Sequence, residues 1–125
     1  MDRATLDKQP EAVALARDFA RNFLDRIRPA VDPEDAASVE LTVSELVTNV
    51  VRHARGTTCS LRLLAQPDGI AVEVADADPR PPRERAPDLT ADTGGFGWPI
   101  VQQLAKAVTV STGVGGKTIR AILPR

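Results

Sequence analysis

Apolar residues recur at helical spacing in two stretches of the first half of the chain. The first stretch starts at Pro10, which suits a first helical position, and is closed by Pro29. The second starts at Asp32, a plausible capping residue followed by Pro33, and Gly56 is expected to terminate it. The spacing predicts two amphipathic helices. Their apolar positions are Val13, Ala16, Phe19, Ala20, Phe23, Leu24 and Ile27 in the first helix, and Ala36, Val39, Val43, Leu46, Val47 and Val50 in the second.

A period of two replaces the helical spacing after Gly56. Residues 58–65 and 70–75 alternate apolar with other side chains, and the turn residues 66–69 between them predict a hairpin. A short helix at about 98–106 follows, and then a second hairpin with strands at 108–111 and 119–123. This order predicts an α+β two-layer sandwich, in which about three helices cover one face of a mixed, mostly antiparallel sheet.

The segment between Asp76 and Gly97 has neither periodicity. It contains four prolines and three arginines, and a connection of this length is usually either a functional lid or disordered. The chain of 125 residues is otherwise expected to form one domain, residues 1–125, with one core.

Composition narrows the class of protein. The net charge of −1, from 16 basic and 17 acidic residues, gives no overall footprint for direct binding to nucleic acid or to an anionic membrane. No apolar run approaches the roughly 20 residues of a spanning helix, and the N-terminus lacks an apolar signal core. The single cysteine, Cys59, excludes an internal disulfide and fits a reducing compartment, so a cytoplasmic location is expected.

Candidate chemistry begins on a polar stripe of the second helix. Glu45 and Asn49 are four residues apart, so their side chains lie one turn from each other on one face. A carboxylate and a carboxamide in this arrangement can act as a base and a metal ligand. A solvated helix face is the alternative interpretation of both residues.

Three further groups of residues complete the set of candidates. Asp76 ends an apolar strand, where an Asx turn is the alternative to a binding role. Gly95 and Gly97 precede a helix start, where backbone N–H groups and the helix dipole favour phosphate, although an ordinary flexible loop has the same composition. Thr118 enters the last strand, and it is either a binding residue or a strand residue of good β-propensity.

Two common phosphate motifs do not account for these glycines. A P-loop ending at Thr118 would need its first glycine at position 111, which is Ser111, and the run leads into a strand instead of a helix. The residues after Gly97 do not fit a dinucleotide-binding fingerprint either.

The ordered set does resemble the four boxes of the ATP-binding domains shared by gyrase, the heat-shock chaperone ATPase, histidine kinases and mismatch-repair ATPases, the GHKL superfamily with its Bergerat-type fold. The boxes here are Glu45-x-x-x-Asn49 on a helix, Asp76 closing a strand, Gly95-Phe96-Gly97 opening a helix, and Gly116-Lys117-Thr118 entering the last strand. The short single-domain form resembles bacterial anti-sigma factor serine/threonine kinases of actinobacterial type.

The resemblance implies a role for each candidate. It implies that Glu45 is the general base, that Asn49 binds Mg²⁺ and ATP, and that Asp76 accepts the adenine amino group. It also implies that Gly95 and Gly97 approach the phosphates, that Thr118 bonds the adenine directly or through water, and that residues 77–94 form the ATP lid. The family's usual glycines after the aspartate are missing here, and Asp78 adds a second carboxylate. Reduced nucleotide affinity is therefore expected.

The same resemblance implies the partners, which are an RNA polymerase sigma factor, a STAS-type anti-sigma antagonist that is phosphorylated, and a second copy in a homodimer. Two alternatives stay open from the residues. One is an ATP-binding switch of the same fold that regulates a partner by binding alone, and the other is an interaction domain whose nucleotide site has decayed.

Overall fold

The architecture is that of a computed structural model that describes residues 1–53, 56–78 and 97–125. It contains five strands and three helices in these ranges. Their order and bounds are β1 Asp2–Asp7, α1 Glu11–Arg26, α2 Pro33–His53, β2 Thr58–Gln66, β3 Gly69–Asp76, α3 Gly97–Leu104, β4 Ala107–Gly113 and β5 Gly116–Pro124. The predicted lid, apart from residues 77 and 78, and the predicted phosphate residue Gly95 lie outside the described residues.

The strands form one sheet in the order β1-β2-β3-β5-β4. The last hairpin folds back so that β5, and not β4, pairs with β3 in the middle of the sheet. The register of this central pairing places Val74 opposite Ile119 and Asp76 opposite Lys117. The end of β3 therefore lies beside the beginning of β5, which brings two of the predicted boxes together.

The three helices cover one face of the sheet, because apolar residues alternate with period two on the strands. The predicted seam of α2 is buried except for the partly buried Ala36, and α2 packs against both neighbouring helices and the central strands. Trp98 of α3 also joins this core. The buried sheet positions are Cys59, Leu61 and Leu63 of β2, Ile70, Val72 and Val74 of β3, and Ile119, Ala121 and Leu123 of β5.

The start of α2 follows the predicted capping chemistry. The Asp32 side chain accepts a hydrogen bond from the Glu34 amide at 3.2 Å, and the Asp32 carbonyl accepts one from the Ala36 amide at 2.8 Å. Pro33 is the first helical residue, where its missing N–H leaves no intrahelical bond unmade. This fixed start sets the phase of the helix that carries Glu45 and Asn49.

The opposite face of the sheet carries charge, and none of the three helices of the described residues covers it. Glu73 lies between Arg62 and Arg120, accepting a hydrogen bond from Arg120 at 2.8 Å and lying 3.7 Å from Arg62. In the part of the chain that the structure describes, no helix is long and apolar enough to cross a membrane.

The predicted two-layer α+β sandwich is confirmed, with two refinements. Every strand pairing among the described residues is antiparallel, although a mixed sheet was expected. The chain also begins with a strand, β1, instead of the first helix. Only Leu6 of β1 is buried, so this edge strand of alternating polar residues gives a weak sequence signal.

Gly116 lies at the closest approach between the two central strands. Its φ of 142° is in the region that L side chains rarely adopt, and a Cβ there would lie 2.0 Å from the Asp76 carbonyl oxygen. A side chain at this position would therefore push the end of β3 away from β5.

We expect Gly116→Ala to destabilise the protein, by about 1–3 kcal/mol from the strained dihedral alone and more from the overlap with Asp76. Thermal unfolding measures the effect. Gly115→Ala is the matched control, because a Cβ at Gly115 meets nothing within 4 Å. Equal melting temperatures for the two variants would show that the close approach is absent in solution.

Candidate functional site

Helix α2 presents the first two candidates at the edge of the core. Glu45 and Asn49 are both half-buried, next to the fully buried Leu46 and Val50. Partial burial raises the pKa of the Glu45 carboxyl, and the nearby positive charge of Arg52 offsets part of this rise. A carboxylate with a raised pKa is a stronger proton acceptor than an exposed one, which suits a general base.

Asp76 belongs to a row of paired residues that crosses the sheet on its helix-covered face. Its register partners are Cys59 on β2 and Lys117 on β5. The Asp76 side chain is 1% exposed and that of Lys117 is 8% exposed, so this is a buried ion pair. Burial, and secondarily the Asp76 charge, raises the pKa of the Cys59 thiol.

The two oxygens of Asp76 differ in their hydrogen bonds to the described residues. Oδ1 accepts from the Asp78 amide at 2.7 Å and from Lys117 Nζ at 3.1 Å. Oδ2 lies 2.9 Å from the same Nζ, but no donor forms an aligned hydrogen bond to it among the described residues. The exocyclic amino group of adenine is a donor that could complete the hydrogen bonds of this oxygen, and recognition of the base by Asp76 stays a prediction.

Lys117 takes the place beside Asp76 that the sequence suggested for Thr118. Thr118 pairs with Ala75 on β3 and Ser111 on β4, so the alternation of the strand turns its side chain to the face without helices. The structure therefore does not bring Thr118 and the Asp76 carboxylate together. The sequence did contain a signal for the lysine. If the alternation of Leu123, Ala121 and Ile119 is continued back along the strand, it places Lys117 on the helix-covered face, although it does not identify its partner on β3.

An open pocket of about 410 Å³ borders the same end of the sheet. Its walls include Asp76 and Lys117 of the buried ion pair, together with Ala75, Ser111 and Thr118, which lie on the other face of the sheet. The pocket therefore adjoins the Asp76–Lys117 pair at the end of the sheet.

The C-terminal ends of α2 and β3 lie close together. A Cβ at Gly56, three residues after α2 ends, would lie 3.2 Å from the Cβ of Ala77, one residue after β3 ends. Helix α3, which begins at Gly97, packs against α2 as well. The end of α2, the end of β3 and the start of β5 therefore lie at one end of the sheet, and these elements carry three of the four predicted boxes. The phosphate-binding role of Gly97 stays a prediction.

The role of Asn49 as a ligand to Mg²⁺ stays a prediction. Among the described residues, no three His, Cys, Asp or Glu side chains are grouped so that they could hold a metal ion. Mg²⁺ is commonly held by one or two protein oxygens together with substrate phosphates and water. The carboxamide oxygen of Asn49 is suited to that role, with the remaining ligands coming from the nucleotide.

Comparisons with known proteins agree with this geometry. The chain matches the family model of the histidine kinase-like ATPase domain over residues 6–123. A search of curated proteins finds no significant match.

Several solved structures share the fold. The RsbU and RsbW domains of Rv1364c from Mycobacterium tuberculosis match with a TM-score of 0.68 and 20% identity, covering 99% of this chain and 32% of that one. The histidine kinase domain from the Erythrobacter litoralis EL346 blue-light activated histidine kinase matches with a TM-score of 0.59 and 20% identity, covering 90% and 59%. A structure of the EL346 kinase gives 0.53 and 24%, covering 75% and 31%.

The chain spans about a third of two of these solved chains and about three fifths of the other. At these identities the likenesses show the fold. The family model covers almost the whole chain, and the order of its boxes along α2, β3, α3 and β5 agrees with that assignment. The chain therefore belongs to the histidine kinase-like ATPase domain family, a family of ATP-binding domains.

Proposed function

We propose that the protein is an anti-sigma factor serine/threonine kinase, which binds Mg-ATP and a sigma factor and phosphorylates a STAS-type antagonist. The observation that carries the proposal is the half-buried Glu45 carboxylate with its raised pKa, one helical turn from Asn49. A pure binding switch does not need a proton acceptor beside its metal ligand. The likeness to a structure that contains an RsbW domain supports the regulatory setting.

The proposed binding roles follow from the side chains. Asn49 supplies a carboxamide oxygen to Mg²⁺, and the ion neutralises phosphate charge. Asp76 accepts the purine amino group through its unsatisfied Oδ2. The backbone at Gly95 and Gly97 is assigned to the phosphates, because a helix N-terminus with small residues allows close approach of an anion.

The proposed chemical role of Glu45 is to accept a proton. A serine or threonine oxygen of the antagonist forms a bond to the γ-phosphorus, the bond from that phosphorus to the ADP oxygen breaks, and the hydroxyl proton passes to Glu45. Positioning and charge neutralisation supply most of the rate enhancement in such transfers. Glu45 adds a base whose pKa lies nearer to a working pH than that of an exposed carboxylate.

A second candidate function is a kinase-inactive ATP-binding switch that regulates its partner by binding alone. The residues after Asp76 favour it, since the chain continues Ala77-Asp78-Pro79-Arg80, whereas the resemblance leads us to expect glycines shortly after the aspartate. Under both functions we propose that the protein acts in the cytoplasm as a homodimer.

Phosphotransfer separates the two functions. Incubation with labelled ATP, Mg²⁺ and candidate antagonists is expected to label a serine or threonine of one antagonist. Glu45→Gln should keep ATP affinity and lose at least 100-fold in transfer rate, the contribution typical of a positioned base. Glu34→Gln, an exposed carboxylate in the first turn of α2, is the matched control.

Loss of transfer in the Glu45 variant should not come from unfolding. Because burial raises the Glu45 pKa in the folded state, the folded protein binds that proton more tightly than the unfolded chain does. This contribution to stability is present at acidic pH and is lost as the pH rises through the folded pKa. Glu45→Gln should therefore be at least as stable as the native protein at neutral pH. A native transfer rate in this variant would remove Glu45 from the mechanism.

Arg52 should set the acid limb of the pH profile. Its charge lowers the Glu45 pKa, so Arg52→Ala should raise that pKa and shift the acid limb of the transfer rate to higher pH. The difference should narrow at high salt, because Arg52 is exposed. Arg21→Ala on α1, whose guanidinium pairs with Glu40, is the control and should leave the limb in place. If the pH–rate profile of Arg52→Ala coincides with that of the native protein, the acid limb reports the titration of a group other than Glu45.

Asn49 should control the metal-dependent part of nucleotide binding. Asn49→Ala is expected to lower the affinity for ATP at least tenfold in the presence of Mg²⁺ and to change it little in the absence of Mg²⁺, because the variant lacks a single metal ligand. Calorimetry with and without Mg²⁺ measures both values. Asn22→Ala removes an exposed carboxamide from α1 as a control. An unchanged Mg-ATP affinity in Asn49→Ala would refute the ligand assignment.

A further inference from the structure

Lys117 is a buried cation in the place where the base of a nucleotide would be read. Its Nζ donates to Asp76 Oδ1 at 3.1 Å and to the Asp78 carbonyl at 3.2 Å, and it lies 2.9 Å from Asp76 Oδ2. The family resemblance implied a base-binding role for Asp76 and Thr118 and none for Lys117. The structure shows that this carboxylate is part of a pair.

The pair combines a donor and an acceptor that are adjacent. An ammonium group has three N–H donors, and two of those of Lys117 are used in the hydrogen bonds to Asp76 Oδ1 and the Asp78 carbonyl. The neighbouring Oδ2 of Asp76 is buried and accepts no aligned hydrogen bond among the described residues. The third N–H of Lys117 and Oδ2 of Asp76, whose heavy atoms lie 2.9 Å apart, are therefore the groups that one ligand edge would engage together.

A lone carboxylate and this pair read purines differently. An ionised carboxylate accepts hydrogen bonds and cannot donate, so by itself it takes the adenine amino group and rejects the guanine carbonyl. Adenine presents its amino donor next to the N1 acceptor, whereas guanine presents its O6 acceptor next to the N1–H donor. A carboxylate beside an ammonium complements both edges, and the flexible stem of lysine lets Nζ serve either atom.

We propose that Lys117 reads the purine base together with Asp76, so that the site accepts GTP as well as ATP. The inference rests on the proposed nucleotide-binding function and changes its expected specificity. Lys117 is then the residue that determines specificity, because it removes the rejection of the guanine carbonyl that Asp76 alone would impose.

Direct titration of the full chain with Mg-ATP and Mg-GTP tests the proposal. The native protein should bind the two nucleotides with affinities within about threefold of each other. Lys117→Thr, which removes the cation and keeps a small polar side chain, should favour ATP by at least tenfold. Lys117→Arg keeps a cationic donor and should retain GTP binding. Lys106→Thr is the matched control, because Lys106 is an exposed lysine that pairs with Asp68.

The native protein decides the question even if Lys117→Thr does not fold. A native preference for ATP of tenfold or more would overturn the role of Lys117 while leaving the proposed function intact. An unchanged ratio in a folded Lys117→Thr would show that the pair is structural, and would also overturn it. Failure of the native protein to bind either nucleotide would instead refute the proposed function, and this inference with it.

Discussion

The antiparallel pairing of β3 with β5 is the constraint on which the rest of the site depends. It places the end of one strand beside the start of the other, and it opposes Asp76 to Lys117 on the face that the helices cover. Since side chains alternate with a period of two, a slip of one residue would turn every core residue of β5 to solvent and bring Thr118 to Asp76. The apolar residues Ile119, Ala121 and Leu123 prevent that slip, because all three are buried in the observed register. The hydrophobic core thus determines that Lys117, and not Thr118, lies opposite the Asp76 carboxylate.

Helix α2 connects stability to chemistry in a similar way. Its apolar seam holds the helix on the sheet, and the side chains next to that seam are only half exposed to water. Glu45 lies in this border position, where partial burial raises its pKa and so disfavours its ionised form. A carboxylate selected for stability alone would lie on the exposed face, as Glu34 does at the start of the helix. The cost is tolerable because the seam buries Val39, Val43, Leu46 and Val47 completely, and each such side chain contributes about 1.5–3 kcal/mol.

Local patterns were sufficient to predict most of the fold, and non-local ones were needed for the rest. The helical spacing of α1 and α2, the Asp32 cap and the two hairpins are all encoded within short windows of sequence, and the structure contains each of them. Strand β1 was not predicted, because an edge strand with one buried residue has almost no periodic pattern of apolar residues. The ion pair of Asp76 with Lys117 was not predicted, because the two residues are 41 positions apart and meet only when β5 pairs with β3. The resemblance to a family directed attention to Thr118, whereas the pairing register places Lys117 opposite Asp76.

The energetics of that ion pair argue against a purely structural role. Burying two charges costs several kcal/mol each, and apolar pairs of similar size are often at least as stabilising. The three preceding rows of the same face follow that rule, since Ile70 is paired with Leu123, Val72 with Ala121 and Val74 with Ile119. The next row, Asp76 with Lys117, departs from it at the end of β3, where α2 also ends nearby. An oxygen of this row still lacks an aligned donor, so the row is not fully satisfied by the protein itself. A ligand with a hydrogen-bonding edge would complete it, and this supports the proposal that the charged row belongs to the binding site instead of the end of the core.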